Sequence, residues 1–148
     1  MPRLRRILHP TDFSPASAPA FRKAIELAKE DGATLLIVHV LPTLPMVADA
    51  YIAATAYDEL LRAHRAQAQR SMERLVKRAR TAGVRAVGKV DDNGGLSDRI
   101  VRYAKRERAD LIVMGTHGYG ILAKALLGSV AERVVSRATC PVMTIKGR

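Results

Sequence analysis

The sequence predicts an α/β fold in which a parallel sheet is covered by helices on both faces. Two observations carry that reading. Short apolar runs alternate along the chain with longer segments whose apolar residues recur every three or four positions, and such alternation favours parallel strands joined by helical crossovers. Two of the runs, Leu35-Leu36-Ile37-Val38 and Leu111-Ile112-Val113-Met114, are apolar without a break, as strands buried on both faces are. The 148 residues are read as one domain, 1–148, with no linker or repeat. A chain of this size can bury about 70% of its unfolded surface.

The elements follow in order. Arg3 to His9, with Leu4, Ile7 and Leu8, reads as a short strand that stops at Pro10. Ser14-Pro15 reads as a helix start, with Ser as N-cap and Pro at the first helical position. Phe21, Ala24, Ile25 and Ala28 form its apolar face, and Asp31-Gly32 ends it. Ala33 to Val40 is the second strand. Leu41 to Ala56, with Pro42, Pro45, Met46, Tyr51 and Ile52, reads as a crossover that serves as a lid or a partner contact. Tyr57 to Ala82 is a long amphipathic helix with Leu60, Leu61, His64, Ala68, Met72, Leu75, Val76 and Ala79 inward, closed by Gly83. Val84 to Val90 is the third strand, followed by the turn cluster Asp91 to Gly95. Ser97 to Arg108 is a helix with Ile100, Val101 and Ala104 inward. The fourth strand ends at Gly115, and a glycine-rich loop runs to Gly128. Ser129 to Ala138 is the last helix and Pro141 to Ile145 the last strand.

Composition narrows the classes. The 25 Lys+Arg against 14 Asp+Glu leave a net charge of +11, which raises the question of an anionic partner. One cysteine, Cys140, excludes an internal disulfide framework and a multi-cysteine zinc site; before Pro141 it reads as inert packing. No apolar run approaches the ~20 residues of a membrane span, and the short basic start lacks the apolar stretch of a signal peptide. The expectation is a cytoplasmic protein in a reducing compartment. The cations cluster on the face Arg62, Arg65, Arg70, Arg74, Lys77 and Arg78 of the long helix. That face reads as solvated, with an unknown acidic protein partner on helix 57–82 as its functional rival. Nucleic acid fits poorly, because a stacking platform needs exposed rings and the chain has only four Tyr and two Phe.

Open α/β sheets bind ligands beyond the carboxyl ends of their strands, where the chain reverses its progress across the sheet. Three strand ends carry unusual residues: Pro10-Thr11-Asp12, His39-Val40 and Met114-Gly115-Thr116-His117-Gly118. Glycines there let backbone N–H groups approach a ligand. Ser129 opens a helix whose free N–H groups suit a phosphate. Ser129 with Glu132 also reads as a capping box, and Asp12 as a cap of the first helix turn. His9 and His39 read as satisfied core or rim histidines, and His64 as packing. His117 is open between lining the crevice and facing solvent. Walker A and any Ser-His-Asp or Cys-His spacing are absent from the sequence.

The spacing Gly115-x2-Gly118-x9-Gly128-Ser129 resembles the nucleotide-binding signature of the universal stress protein family. The resemblance runs through nearly the whole chain: Ile7 to Ser14, Leu36 to Val40, Ala109 to Gly115, Leu127 to Val134 and Cys140-Pro141-Val142 stand in the family's order. It implies a Rossmann-like sheet of the adenine nucleotide alpha hydrolase-like kind, five parallel strands in the order 3-2-1-4-5. It implies binding of ATP or another adenine nucleotide with Mg²⁺. By position, Pro10, Thr11 and Asp12 would face the adenosine, Asp12 the ribose, and Val40 the adenine. Gly115, Gly118, Gly128, Ser129 and Val130 would surround the phosphates, and Met114, Thr116 and His117 would line the same crevice. It implies a homodimer through strand 141–145 and a nucleotide-dependent stress-response or signalling module rather than a fast enzyme. A slow ATPase or phosphotransferase and a basic nucleic-acid-binding protein are the alternatives. Two departures stand out. Asn93-Gly94-Gly95-Leu96 replaces a common Gly-x-Pro turn, and the loop interior has one cation, Lys124, which lowers the expected phosphate affinity.

Overall fold

A computed structural model of the chain describes residues 2–43, 50–92, 94–117 and 127–147. Among them, strands β1 (Arg6–Pro10), β2 (Thr34–Val40), β3 (Arg85–Asp91), β4 (Leu111–Gly115) and β5 (Val142–Ile145) form one sheet. All its pairs are parallel, in the order β3-β2-β1-β4-β5. Helices α1 (Ala18–Asp31), α2 (Ala50–Thr81), α3 (Leu96–Arg106) and α4 (Ser129–Arg137) supply the crossovers. The order places β1 and β4 side by side at the point where the chain turns back across the sheet.

Two cores lie on the two faces. Ile7, Leu35, Ile37 and Val113 pack against Phe21, Ala24 and Ala28 of α1 and Ala68, Met72 and Ala79 of α2. Leu8, Val38, Ile112 and Met114 pack against Ile100 and Tyr103 of α3 and Ala131 and Val134 of α4. Strand residues alternate between these faces with the period of two that a strand imposes. Each fully buried Leu or Ile contributes about 1.5–3 kcal/mol.

The first helix ends as its sequence foretells: Gly32 adopts φ +65° and its N–H bonds the Ala28 carbonyl, the left-handed stop glycine favours. Its start differs. A single 3-10 turn, Pro15–Ser17, precedes α1, and neither Ser14 nor Ser17 makes a side-chain cap bond; Ser14 Oγ is buried with no partner among the described residues. The long helix also departs from its periodicity. It begins at Ala50, within the expected crossover 41–56, and residues 44–49 of that crossover lie outside the described set. Leu60, Leu61 and His64 are exposed, because only the later turns of α2 cover β2 and β3. Met72 lies so close over β3 that a Cβ on Gly88 would stand 2.6 Å from its Sδ.

Part of the basic face is already engaged. Arg65 pairs with Asp92, Arg74 bonds Ser71 Oγ, and Arg78 lies 5.3 Å above the Phe21 ring. No helix among the described residues is long and apolar enough to cross a membrane.

Candidate functional site

The site begins with a missing hydrogen bond. The β1–β4 register, Ile7↔Leu111 and Leu8↔Ile112, stops after Leu8. Thr11 N–H donates to the Val38 carbonyl at 2.9 Å, so odd residues of β1 serve β2 and even residues face β4. The next donor owed to β4 belongs to residue 10, and Pro10 has no N–H. His9 fills the gap: its Nδ1 lies 2.9 Å from the Val113 carbonyl. The carbonyl can only accept, so Nδ1 carries the proton and Nε2 is the bare nitrogen. That Nε2 is buried with no partner among the described residues. Burial holds the imidazole down at about 4, against the opposing effects of the Val113 bond and Asp12. The sheet is thus held by a side chain at the place where its backbone ladder opens.

Beyond Pro10 the chain folds back on itself. Phe13 N–H donates to Thr11 Oγ1 at 3.0 Å, and Ser14 N–H to Asp12 Oδ1 at 2.9 Å. The second is a turn bond to the residue before the helix and not the helix cap expected of Asp12, since neither Pro15–Ser17 nor α1 has a side-chain cap bond among the described residues; it uses one carboxylate oxygen. Asp12 Oδ2 carries no bond among the described residues. These bonds hold Phe13 at φ +63°, a conformation costly for a bulky residue. Its ring lies 4.4 Å from that of His39. His39 Nδ1 bonds the Thr11 carbonyl at 2.8 Å, and burial lowers its pKa. Val40 is buried at the end of β2, beside Met114 in the same core.

On the other side of the opening, the two ends of the glycine loop meet. Gly128 N–H donates to the Thr116 carbonyl at 2.7 Å. A Cβ on Gly128 would stand 3.1 Å from that oxygen, so glycine permits the approach. Gly128 is the N-cap of α4, at φ −70° and ψ 164°, and no side chain caps the helix. The capping box expected from Ser129 and Glu132 is therefore not formed. Ser129 is the first helical residue, one position too late to cap. The first intrahelical bond runs from Glu132 N–H to the Gly128 carbonyl at 2.9 Å. The N–H groups of Ser129, Val130 and Ala131 have no intrahelical partner, as at any helix start, and no acceptor among the described residues. A Cβ placed on Gly115 would make ordinary contact with the Ala16 and His117 carbonyls at 3.5 Å.

The structure therefore brings together Pro10, Thr11, Asp12, Val40, Met114, Gly115, Thr116, His117, Gly128, Ser129 and Val130 at one end of the sheet. Gly118, Lys124 and the rest of 118–126 lie outside the described residues. His117 is half-buried. Its Nδ1 lies 3.0 Å from Thr116 Oγ1, and its Nε2 is buried with no partner among the described residues. His9 is the buried, hydrogen-bonded core histidine expected of it; its role in holding the opening is what sequence reasoning missed. The dipeptide His9-Pro10 at the end of β1 was the available signal, since Pro removes a ladder donor. Cys140 is half-buried with its thiol pushed up by burial, which keeps it unreactive. Among the described residues no three His, Cys, Asp or Glu side chains cluster as metal ligands.

The family model described as the universal stress protein family matches residues 3–146. A universal stress protein of Methanocaldococcus jannaschii is 35% identical over 142 residues, covering 96% of this chain and 82% of the relative. The solved universal stress protein UspA of Lactobacillus plantarum superposes with a TM-score of 0.86 at 28% identity, covering 99% of this chain and 100% of the other. A universal stress protein of Archaeoglobus fulgidus in complex with dAMP has the same fold, with a TM-score of 0.71 at 24% identity, covering 98% and 100% of the two chains.

Proposed function

The chain belongs to the universal stress protein family, and from that membership we propose that it binds ATP, with Mg²⁺ on the phosphates, and serves as a nucleotide-dependent stress or signalling module. One observation carries the reading: the start of α4 is capped by Gly128 and by no side chain among the described residues, against the Thr116 carbonyl at the end of β4. Three unengaged N–H groups at a helix start make a place for phosphate.

The residues present fit an adenine nucleotide. Ser129 and Val130 offer backbone N–H groups to phosphate oxygens, with Gly115 at the neighbouring strand end. Asp12 Oδ2 accepts from a ribose hydroxyl while Oδ1 keeps the turn in place. Val40 and Met114 present apolar surface to adenine. His117 Nε2, buried and unpartnered among the described residues, is a second polar group in the crevice. Mg²⁺ would be held by the phosphates.

Binding without fast turnover is the better reading, because the loop from Gly115 to Gly128 contains no Asp or Glu to position an attacking water. The output is then the bound state itself, read by partners. A homodimer through the edge strand β5 belongs to the same proposal, since an unpaired edge is an aggregation hazard that two-fold pairing removes.

Calorimetry with ATP and Mg²⁺ tests the binding. Saturable binding that Gly115→Val abolishes, with the fold retained by circular dichroism, is the expected result. No heat at millimolar ATP overturns it.

A further inference from the structure

We propose that the outer edge of β3, with the stripe of α2 beside it, is a docking groove for an extended acidic segment of a partner protein, added to the sheet as a further strand. The groove lies at the far edge from β5, with β2 and β1 between it and the sheet opening, and does not depend on nucleotide binding.

Backbone groups supply the first argument. β3 ends the sheet. Its register with β2 runs from Arg85↔Thr34 to Asp91↔Val40, and Leu41 N–H donates to the Asp91 carbonyl at 2.8 Å. Odd-numbered residues of β3 therefore serve the β2 ladder. Ala86, Gly88 and Val90 turn their N–H and carbonyl groups outward. Among the described residues, one side chain reaches this edge: Arg80 Nη2 donates to the Ala86 carbonyl at 3.0 Å. Such an edge is a template for strand addition.

Shape supplies the second. A groove of about 700 Å³ runs along the edge, lined by Met72, Val76, Lys77, Arg80, Val87 and Gly88 among others. Its α2 lining extends from Gln69 to Thr81, about 18 Å at 1.5 Å per residue. That length matches five or six extended residues at about 3.3 Å each. Gly88 is exposed and lies under Met72, so the floor is flat and apolar. Val87, 51% exposed, turns its side chain to the opposite face of the strand from Ala86, Gly88 and Val90, so an added strand would cover it from the other side.

Charge selects the occupant. Lys77 and Arg80 line the groove and Arg85 stands at the start of β3, against Glu73 as the acid in the lining. Asp92, beyond the far end of the strand, is already paired with Arg65. A segment carrying carboxylates at the Arg80 end gains these cations, and its own backbone N–H takes over the Ala86 carbonyl as Arg80 turns to the carboxylate. A second copy of this chain is disfavoured, because its groove would bring the same net positive lining, Lys77 and Arg80 against Glu73, to this one.

Fluorescence anisotropy with a labelled peptide of alternating valine and glutamate, titrated with the full chain at low salt, is the test. Saturable binding that weakens with salt is expected, with about a tenfold loss on Lys77→Glu and Arg80→Glu together. Lys77→Glu alone, which breaks no hydrogen bond among the described residues, reads the charge effect if Arg80→Glu disturbs the edge. Amide exchange should slow at Ala86, Gly88 and Val90 when peptide binds, and a valine–lysine peptide should not bind. Absence of saturation, equal affinity for the charge-reversed variants, or protection confined to other amides overturns the proposal. So does protection of the β3 edge that rises with chain concentration in the absence of peptide, which would make a second copy the occupant.

Discussion

His9 stands in for a hydrogen bond that Pro10 cannot make: its Nδ1–H reaches the Val113 carbonyl at 2.9 Å, where a backbone N–H at position 10 would have continued the β1–β4 ladder. The imidazole is fully buried and its pKa is lowered from 6.5 to about 4. Burial is the main cause, opposed by the Val113 bond and by Asp12. Between those two values the unfolded chain holds a proton that the folded protein rejects. Stability contributed by neutral His9 is thus full above about pH 6.5 and is lost as pH falls towards about 4.

The slope from His9 is at most about 1.4 kcal/mol per pH unit within that window. His39, whose pKa is also lowered, adds in the same direction. Urea denaturation of the wild type and His9→Asn at several pH values between 7 and 4 should give curves that converge as pH falls, because the variant lacks this titration. Parallel curves would show that His9 does not titrate with folding.

Pro10→Ala should rescue a His9 variant. His9→Phe leaves the buried Val113 carbonyl without its donor, at a cost of about 1–3 kcal/mol. Pro10→Ala returns an N–H at the ladder position and should recover about 1 kcal/mol in that background, while changing the wild type little. A double-mutant cycle from denaturation midpoints measures the coupling. Additive effects would mean that the two residues do not share the Val113 carbonyl.

Gly115 and Gly128 should separate in their effects. Gly128→Ala presses on the Thr116 carbonyl, 3.1 Å from the new Cβ, and should cost about 1–2 kcal/mol of stability. Gly115→Ala meets nothing closer than 3.5 Å and should change stability by less than about 0.5 kcal/mol, yet weaken nucleotide binding. Thermal melts with calorimetry distinguish them. Equal loss of stability in both would contradict the assigned packing.

Thr144→Pro should dissociate a β5-paired dimer without breaking the sheet. Ile112 N–H donates to the Pro141 carbonyl and Thr116 N–H to the Ile145 carbonyl, each at 3.0 Å, so odd-numbered residues of β5 serve β4. Val142 and Thr144 face outward, and a proline at Thr144 removes an outward donor alone. Light scattering at micromolar concentration should report twice the chain mass for the wild type and the single-chain mass for the variant. A monomeric wild type would remove β5 pairing from the proposal.

Much of this protein was legible in its residues. Unbroken apolar runs such as Leu111 to Met114 mark strands buried on both faces, and Gly32 marks the end of α1, because both depend on local sequence alone. The glycine spacing from Gly115 to Gly128 marked the loop, and with the family resemblance the strand order. Periodicity failed on α2, where Leu60, Leu61 and His64 keep helical spacing but face solvent. Spacing records which residues share a helix face, and cannot record whether a strand lies opposite. Ser129 looked like a cap for the same reason. Whether a Ser sits at the cap or one residue inside depends on where the chain enters the helix, and the Gly128–Thr116 bond sets that entry. The opening between β1 and β4 was likewise decided in three dimensions. The sequence shows a proline that lacks an N–H, but only the packed sheet shows whose carbonyl is left waiting and which side chain reaches it.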